Sequence, residues 1–200
     1  MIHLKNVVCI SVSCDKVDQT IKAMEHCKKY FKFQDSFIFT DKKIDYNHKI
    51  INPIKSIKDY DNFIVKDLPF HIKADYCLSI HWDGFIVNPE AFTVDFFKYD
   101  YIGSPWPEHG NICGNGGFCL KSKRFFKAQK LLIKTIKKVD CPDDVFLCIK
   151  YRDWFITNGI NYAPPHIGYR FATEQGEYNV HRSFGFHDFR LHPQFKSLVA

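Results

Sequence analysis

Two side chains that can bind a metal ion follow a predicted strand in the middle of the chain. The apolar run Asp75–Ile80 predicts the strand, and His81-Trp82-Asp83-Gly84 follows it directly. Alternate side chains of an extended segment share a face, so we expect His81 and Asp83 to point the same way. In open α/β sheets ligands bind beyond the carboxyl ends of the strands, where a carboxylate can hold a divalent ion that bridges two phosphates. An ordinary turn is the alternative interpretation.

A histidine near the end of the chain is a second candidate metal ligand. His187 stands in Gly185-Phe186-His187, within a stretch rich in loops. An imidazole beside a glycine can complete a metal shell together with a carboxylate from another element. A surface or aromatic-stacked histidine is the alternative, since the chain has 10 histidines.

Two adjacent carboxylates, Asp143 and Asp144, lie at the predicted start of a helix. Acidic residues in a first turn are favoured by the helix dipole, so a capping role is one interpretation. The other is a general base, which takes a proton from a sugar or other hydroxyl while that oxygen attacks. Each carboxylate raises the pKa of its neighbour, and this suits such a base.

A cluster of glycines is the fourth candidate. Gly114-Asn115-Gly116-Gly117 is neither a dinucleotide-binding fingerprint nor a P-loop. Glycines permit positive φ and let backbone N–H groups approach a ligand closely, although a plain turn has the same composition. Trp106, between two prolines, is either a platform on which a sugar stacks or a plug of the core.

The first half of the chain has the pattern of an open α/β sheet. Asp15 follows a β-branched, apolar run and can cap the helix after it. A strand, a helix and a second strand at this spacing form the opening βαβ unit of such a sheet. The predicted elements are strands over residues 7–12, 35–40, 49–54 and 75–80, a helix that ends at residue 30, and a helix over residues 57–72 that Leu68-Pro69 breaks or kinks.

The second half combines short elements with irregular stretches. Apolar residues that alternate with lysines predict an amphipathic helix over residues 123–138. The chain shows no internal repeat or linker, so we expect a single domain. The other predicted elements are a helix over residues 91–99, a short strand at 118–120, a helix over 142–152 and a last strand at 171–173.

Length and charge exclude several classes of protein. The 200 residues fit one domain, and a hydrophobic content of 46% with 20 Phe is ample for a packed interior. No apolar run is long enough for a membrane span. The net charge of +6 is mild and its lysines are spread out, which argues against a nucleic-acid partner. The lysines form either a solvated helix face or a surface that attracts an anion such as a nucleotide diphosphate.

The cysteines and the N-terminus indicate a cytoplasmic protein. No pair among the 8 cysteines has Cys-x-x-Cys spacing, so a zinc knuckle or a redox motif is not expected. Several lie within apolar runs, where a small buried thiol fits. The first residues lack the apolar stretch of a secretory signal, and we therefore expect reduced thiols.

The order of these motifs resembles one family, the glycosyltransferase-like domains of bacteria and large DNA viruses that are filed as a domain of unknown function. Those domains show a Q-x-D strand end and the segments Y-D-Y-I-G-A-P-W, G-N-G-G-F-S-L-R and E-D-V-F. The resemblance extends from Asp75 to His187. The matching segments here are His81–Gly84, Tyr99–Trp106, Gly114–Ser122 and Asp143–Phe146.

The resemblance implies a GT-A-type nucleotide-diphosphosugar transferase with an open mixed sheet flanked by helices. Residues 1–84 would then form the nucleotide-binding half and residues 85–200 the acceptor and catalytic half. It implies Mn²⁺ or Mg²⁺ on the donor diphosphate, held by Asp83 and His187. Asp144 matches the base of inverting members. Two residues depart from the family pattern: His81 replaces Asp or Gln, and Asp143 replaces Glu.

The expected reaction moves a sugar from the donor to a glycan or other hydroxyl acceptor. Asp15 and Asp41 are candidates for contact with the nucleotide, and Asn115 and Trp106 for contact with the sugar. The glycines 114, 116 and 117 would lie near the donor sugar or acceptor. Because the domain is small for a transferase, a partner chain or a second copy could supply part of the acceptor site. The alternatives are a nucleotidyltransferase, a non-catalytic sugar- or nucleotide-binding module and a structural domain.

Overall fold

The structure, a computed structural model, describes residues 1–175 and 182–200. The strands of these residues are β1 (Ile2–Val12), β2 (Phe31–Thr40), β3 (His48–Ile50), β4 (Tyr76–Ser79), β5 (Tyr101–Ile102), β6 (Pro105–Trp106), β7 (Ile112–Cys113), β8 (Cys119–Ser122), β9 (Ala172–Thr173) and β10 (Gly185–Phe186). The α-helices are α1 (Val17–Lys28), α2 (Ile57–Asn62), α3 (Leu68–His71), α4 (Lys123–Ile133), α5 (Asp143–Val145), α6 (Arg152–Thr157) and α7 (Pro165–Phe171).

The main sheet joins strands from both halves of the chain. Its order in the described residues is β3-β2-β1-β4-β8-β5. The first four strands are parallel, whereas β8 is antiparallel to both of its neighbours. The predicted mixed α/β sheet is therefore confirmed. Because β8 runs the opposite way, it begins at the edge where β1, β2 and β4 end, and Ser79 pairs with Cys119 there.

Helices and loops cover both faces of this sheet. On β1, Val7 and Cys9 belong to one buried cluster, while Val8 and Ile10 belong to a cluster on the other face. Burial on both faces explains why the strand is a continuous apolar run rather than an alternating one. The polar side chains that follow these strands are thus left at the sheet edge.

The predicted strands of the first half are present with shifted bounds. β1 begins at Ile2 and β2 at Phe31, each earlier than predicted, because Ile2 pairs with Phe31 and extends the ladder. In these extensions exposed polar residues alternate with buried ones. The prediction relied on continuous apolar runs, which begin only after the extensions. β3 ends at Ile50, and residues 51–54 lie outside it.

The prediction that Asp15 caps the first helix is wrong. The residue at the start of α1 is Lys16, and no side chain caps that end of the helix. Asp15 precedes it, and its Oδ1 accepts a hydrogen bond from the Lys16 N–H at 2.9 Å. The Asp15 carboxylate therefore accepts from the N–H of the next residue, and not from an N–H in the first turn of α1.

The predicted helices contain two π-helical turns. Residues 57–71 are helical throughout, with a π turn at Phe63–Asp67 in which the Leu68 N–H bonds to the Phe63 carbonyl. Pro69 therefore lies in the first turn of α3, where its missing N–H is tolerated. The predicted helix over 142–152 likewise divides into α5, a π turn at Phe146–Lys150 and α6.

Other elements of the second half are shorter than predicted. Helix α4 ends at Ile133 rather than residue 138. Two 3₁₀ turns, Pro89–Ala91 and Val94–Lys98, replace the predicted helix over 91–99. The last predicted strand is present as β9, which pairs in parallel with β10. This small second sheet brings the end of the chain to the segment that follows β4, since Gly185 also bridges to Ile86.

The eight cysteines all lie in the described residues and are free. Six are buried, and Cys14 and Cys141 are half-buried. This agrees with the expectation of small buried thiols. Among the described residues, every helix is too short or too polar to cross a membrane.

Candidate functional site

The segment after β4 is a tight turn and not a continued strand. His81 and Gly84 exchange backbone hydrogen bonds, with N···O distances of 2.8 and 3.2 Å. The expectation that His81 and Asp83 share a face of an extended strand is therefore wrong. The turn requires a glycine at position 84, because a Cβ on Gly84 would lie 2.8 Å from the His187 ring. The turn nevertheless brings the two side chains together.

The structure brings His187 to this turn. The His187 N–H bonds to the Thr173 carbonyl at 3.0 Å, so the second sheet positions it. Its Nε2 lies 3.7 Å from Asp83 Oδ1. His81, Asp83 and His187 each offer one ligand atom, and these three atoms lie within 4.8 Å of one another. Two nitrogens and one carboxylate oxygen at this spacing are a donor set that fits a divalent ion.

His81 is half-buried, and its pKa lies far below its ordinary value. Burial, followed by the charges of His187 and Lys121, lowers the pKa of His81 to about 3. The Tyr60 hydroxyl oxygen lies 2.6 Å from His81 Nε2. One nitrogen of this imidazole is thus engaged by Tyr60, and the other is left for a ligand.

Glu174, which the sequence analysis missed, holds His187. Glu174 Oε1 lies 2.9 Å from His187 Nδ1, and its Oε2 accepts a hydrogen bond from Trp106 Nε1 at 3.1 Å. Burial lowers the pKa of His187, but the hydrogen bond and charge of Glu174, with the charge of Asp83, raise it overall. A signal was present in the sequence, because Glu174 directly follows a predicted strand.

The glycine cluster packs against the site side chains. In these residues the positive φ belongs to Asn115 and not to the glycines. A Cβ on Gly117 would lie 2.1 Å from His187 Nε2, and one on Gly116 would lie 3.0 Å from Asp143 Oδ2. The glycines are therefore needed for close approach to these side chains.

Asn115 and Trp106 make the contacts of interior residues. Asn115 Oδ1 accepts hydrogen bonds from the N–H groups of Gly117 and Phe118, and its Nδ2 lies 3.0 Å from His187 Nδ1. Trp106 is 6% exposed and covers Gly114, where a Cβ would lie 2.1 Å from the indole. These contacts match the alternative in which Trp106 is part of the core.

The paired carboxylates lie beside the glycine cluster and differ in their surroundings. Asp144 Oδ2 accepts a hydrogen bond from the Gly116 N–H at 3.3 Å, and its Oδ1 accepts one from Val145 at 2.8 Å. Asp143 is buried, and burial followed by the charge of Asp144 raises its pKa to about 7. Lys121, 2% exposed on β8, opposes this rise and was also missed as a site residue.

Polar groups without a partner among the described residues lie at the same sheet edge. They include the hydroxyls of Ser11, Ser13 and Ser79 and the Oδ1 of Asp41. Asp41 follows β2, and its Oδ1 is buried without a hydrogen-bond partner. Buried polar atoms are usually paired, so this oxygen is available to a bound ligand. Asp15 is exposed, and its described side-chain hydrogen bond is the one to Lys16.

Solved structures similar to this chain include glycosyltransferases. The galactosyltransferase LgtC, in complex with donor and acceptor sugar analogues, matches with a TM-score of 0.59 and 11% identity over 96% of this chain and 95% of that one. A glycosyltransferase involved in glycosylation of the major capsid of PBCV-1 matches with a TM-score of 0.54 and 13% identity, over 90% and 92%.

GlyE of Streptococcus pneumoniae TIGR4, in its apo form, matches with a TM-score of 0.47 and 14% identity. The match covers 75% of this chain but spans only 44% of the GlyE chain. No curated protein sequence matches this chain. Residues 43–187, more than half of the chain, match the family described as "Protein of unknown function (DUF5672)". With its six-stranded mixed sheet flanked by helices, the chain has the GT-A fold and belongs to the DUF5672 family.

Proposed function

We propose that this chain is a metal-dependent glycosyltransferase that moves a sugar from a nucleotide-diphosphate donor to a hydroxyl of a glycan or other acceptor. The observation that carries the proposal is the meeting of His81, Asp83 and His187 at the sheet edge that also holds Asp144. The fold supports it, since the similar LgtC structure contains donor and acceptor sugar analogues.

Asp83 and His187, joined by His81, would hold the divalent ion. When bound, Mn²⁺ or Mg²⁺ neutralises the charge of the diphosphate leaving group. The unpartnered polar groups of Ser11, Ser13 and Asp41 supply hydrogen-bonding capacity for the nucleotide at the ends of β1 and β2. The assignment of residues 1–84 to the nucleotide and 85–200 to the acceptor stays a prediction, as does the contact of Asp15 with the nucleotide.

Asp144 is the better candidate for the base. Burial raises the pKa of Asp144, but the N–H groups of Val145 and Gly116 counteract part of this rise. Asp143 is more deeply buried and keeps its proton to about pH 7. Asp144 would thus take the proton of the acceptor hydroxyl as that oxygen attacks the anomeric carbon, which gives inversion.

Sugar transfer by the Asp144→Asn variant tests the assignment of Asp144 as the base. We expect turnover with a nucleotide-diphosphate sugar to fall about 10²- to 10⁴-fold, because the hydroxyl loses its base, while donor binding is kept. The measurements are release of nucleoside diphosphate and donor affinity by calorimetry. Asp153→Asn, at an exposed position of α6, is the matched control and should stay active.

Three results would contradict the proposal. Full activity of Asp144→Asn would remove the base assignment. Release of pyrophosphate from a nucleoside triphosphate and a sugar phosphate would indicate a nucleotidyltransferase. If the chain binds a donor but neither transfers its sugar to a hydroxyl acceptor nor hydrolyses it, it is a binding module.

A further inference from the structure

Each imidazole of the three-residue cluster has one nitrogen engaged by a residue outside the cluster. Glu174 engages Nδ1 of His187, and Tyr60 engages Nε2 of His81. We infer that Glu174 and Tyr60 are positioning residues that each engage one nitrogen of an imidazole and leave the other nitrogen for an ion held with Asp83, so that the site takes a first-row transition ion in preference to Mg²⁺. This inference rests on the proposed metal site.

The orientation of His187 follows from the chemistry of Glu174. A carboxylate only accepts hydrogen bonds, so in the neutral imidazole that binds an ion Nδ1 carries the hydrogen and Nε2 carries the lone pair. Glu174 is itself held in place, since its Oε2 bonds to Trp106 Nε1 and its N–H bonds to Ser104 Oγ at 3.0 Å. An outer carboxylate that holds a ligating histidine in this way fixes its tautomer and raises its basicity.

Asn115 restricts the same ring. Its Oδ1 is occupied by two backbone N–H groups, so its NH₂ group faces His187 Nδ1. When Nδ1 donates its hydrogen to Glu174, the Asn115 NH₂ group is a close packing neighbour of that nitrogen and not its hydrogen-bond partner, because an amide NH₂ group only donates. Asn115 and Glu174 therefore bracket one edge of the imidazole, and Nε2 is directed to Asp83 at 3.7 Å.

The distance between the two groups suits shared coordination. Two atoms bound to one ion at about 2.1 Å each lie about 3 to 3.5 Å apart, so a small movement of Asp83 or His187 is sufficient. Tyr60 acts likewise on His81: when its oxygen accepts the Nε2–H, Nδ1 carries the lone pair that an ion needs.

The donor set decides which ion is preferred. Mg²⁺ prefers oxygen ligands and keeps several waters, whereas imidazole suits transition ions. With two imidazoles and one carboxylate, affinity should rise from Mn²⁺ to Co²⁺, with Mg²⁺ weakest. Because His81 adds a second nitrogen to the donor set, it is the ligand that shifts the preference.

Binding of the ions alone to the metal-free full chain tests the inference. Calorimetry would measure affinity for Mg²⁺, Mn²⁺, Co²⁺ and Zn²⁺, and the visible absorption of Co²⁺ would report nitrogen ligands. We expect Co²⁺ to bind at least about ten times more tightly than Mg²⁺. Glu174→Gln and Tyr60→Phe should weaken Co²⁺ binding about 10- to 100-fold, the usual effect of losing an outer partner.

Matched controls separate this effect from general damage. Glu90→Gln and Tyr30→Phe, both at exposed positions, should bind Co²⁺ as the unmodified chain does, and the melting temperature of each metal-free variant checks folding. Equal affinity for Mg²⁺ and Co²⁺, or unchanged Co²⁺ affinity in both Glu174→Gln and Tyr60→Phe, overturns the inference and leaves the proposed transferase in place. Absence of binding of all four ions removes the inference and the metal dependence together.

Discussion

At the scale of single residues, the site depends on charges that are kept out of water. Lys121 and Asp143 line a cavity of about 10 Å³, room for about one water molecule, together with Ser79. Burial lowers the pKa of Lys121, but nearby groups including Cys119 and Asp143 raise it overall. The charge of Lys121 in turn limits the rise in the pKa of Asp143.

The protonation of Asp143 predicts how stability depends on pH. Its pKa is about 7 in the folded chain against 3.8 as the ordinary value, so between these limits the folded state binds more protons than the unfolded state. The free energy of unfolding should consequently fall as the pH rises from about 4 to 7, by at most about 1.4 kcal/mol per pH unit from this group.

Asp143→Asn should lose this contribution. Relative to the unmodified chain, the variant should gain stability as the pH rises through that window and show a constant difference above it. Urea denaturation of the metal-free proteins at a series of pH values measures the two curves. Parallel curves across the window would show that Asp143 ionises in the folded chain as readily as in the unfolded one.

At the scale of elements, the glycine cluster joins the metal ligands to the candidate base. It lies just before β8, the antiparallel strand that begins at the sheet edge where the candidate site lies. Gly117 contacts His187, and Gly116 bonds to Asp144. A change of this loop should therefore act on both parts of the site.

Gly117→Ala tests the role of close packing. The added Cβ would meet His187 Nε2 at 2.1 Å, so the ring must move away from Asp83. We expect the affinity for Mn²⁺ to fall at least about 10-fold and the free energy of unfolding to fall by about 1–3 kcal/mol. Calorimetry and urea denaturation measure the two effects.

Gly110→Ala is the matched control for this change. Gly110 has a φ of +70° and open space around its Cβ position, so alanine there costs about 1–2 kcal/mol of backbone strain. The two variants lose similar stability, but Gly110→Ala should bind Mn²⁺ normally. Equal loss of Mn²⁺ affinity in both would mean that Gly117 acts through stability alone.

Reasoning from strand ends predicted that Asp83 and His187 would meet, which they do, but it did not identify every residue near them. Asp83 and Asp144 could be proposed because each follows or begins an element that the apolar pattern marks clearly. Glu174 directly follows the predicted strand at 171–173, but its contact with His187 could not be predicted, since β9 has two residues and its partner β10 lies more than ten residues further along the chain. The turn at residues 81–84 depends on packing against His187, which local sequence does not contain.

At the scale of the whole molecule, one edge of the sheet collects groups from distant parts of the chain. The turn after β4 supplies two candidate ligands and the segment after β10 supplies the third. The apolar patterns of the strands allow the fold class to be predicted from sequence. The burial of Lys121 could not be predicted, because a lysine in a short strand is expected to face solvent.

Because the ion and the donor diphosphate would share this edge, their binding must be linked. A thermal-shift screen of UDP and GDP sugars, with and without Mn²⁺, measures that linkage. At about 100 times its dissociation constant, a donor should add about 2.7 kcal/mol of apparent stability. Asp45→Asn, at an exposed position, is the control for Asp83→Asn.

We expect at least one nucleotide sugar to stabilise the unmodified chain and Asp45→Asn with Mn²⁺, to stabilise them far less without it, and to have little effect on Asp83→Asn. Stabilisation that needs no divalent ion, or that survives Asp83→Asn unchanged, would contradict the account.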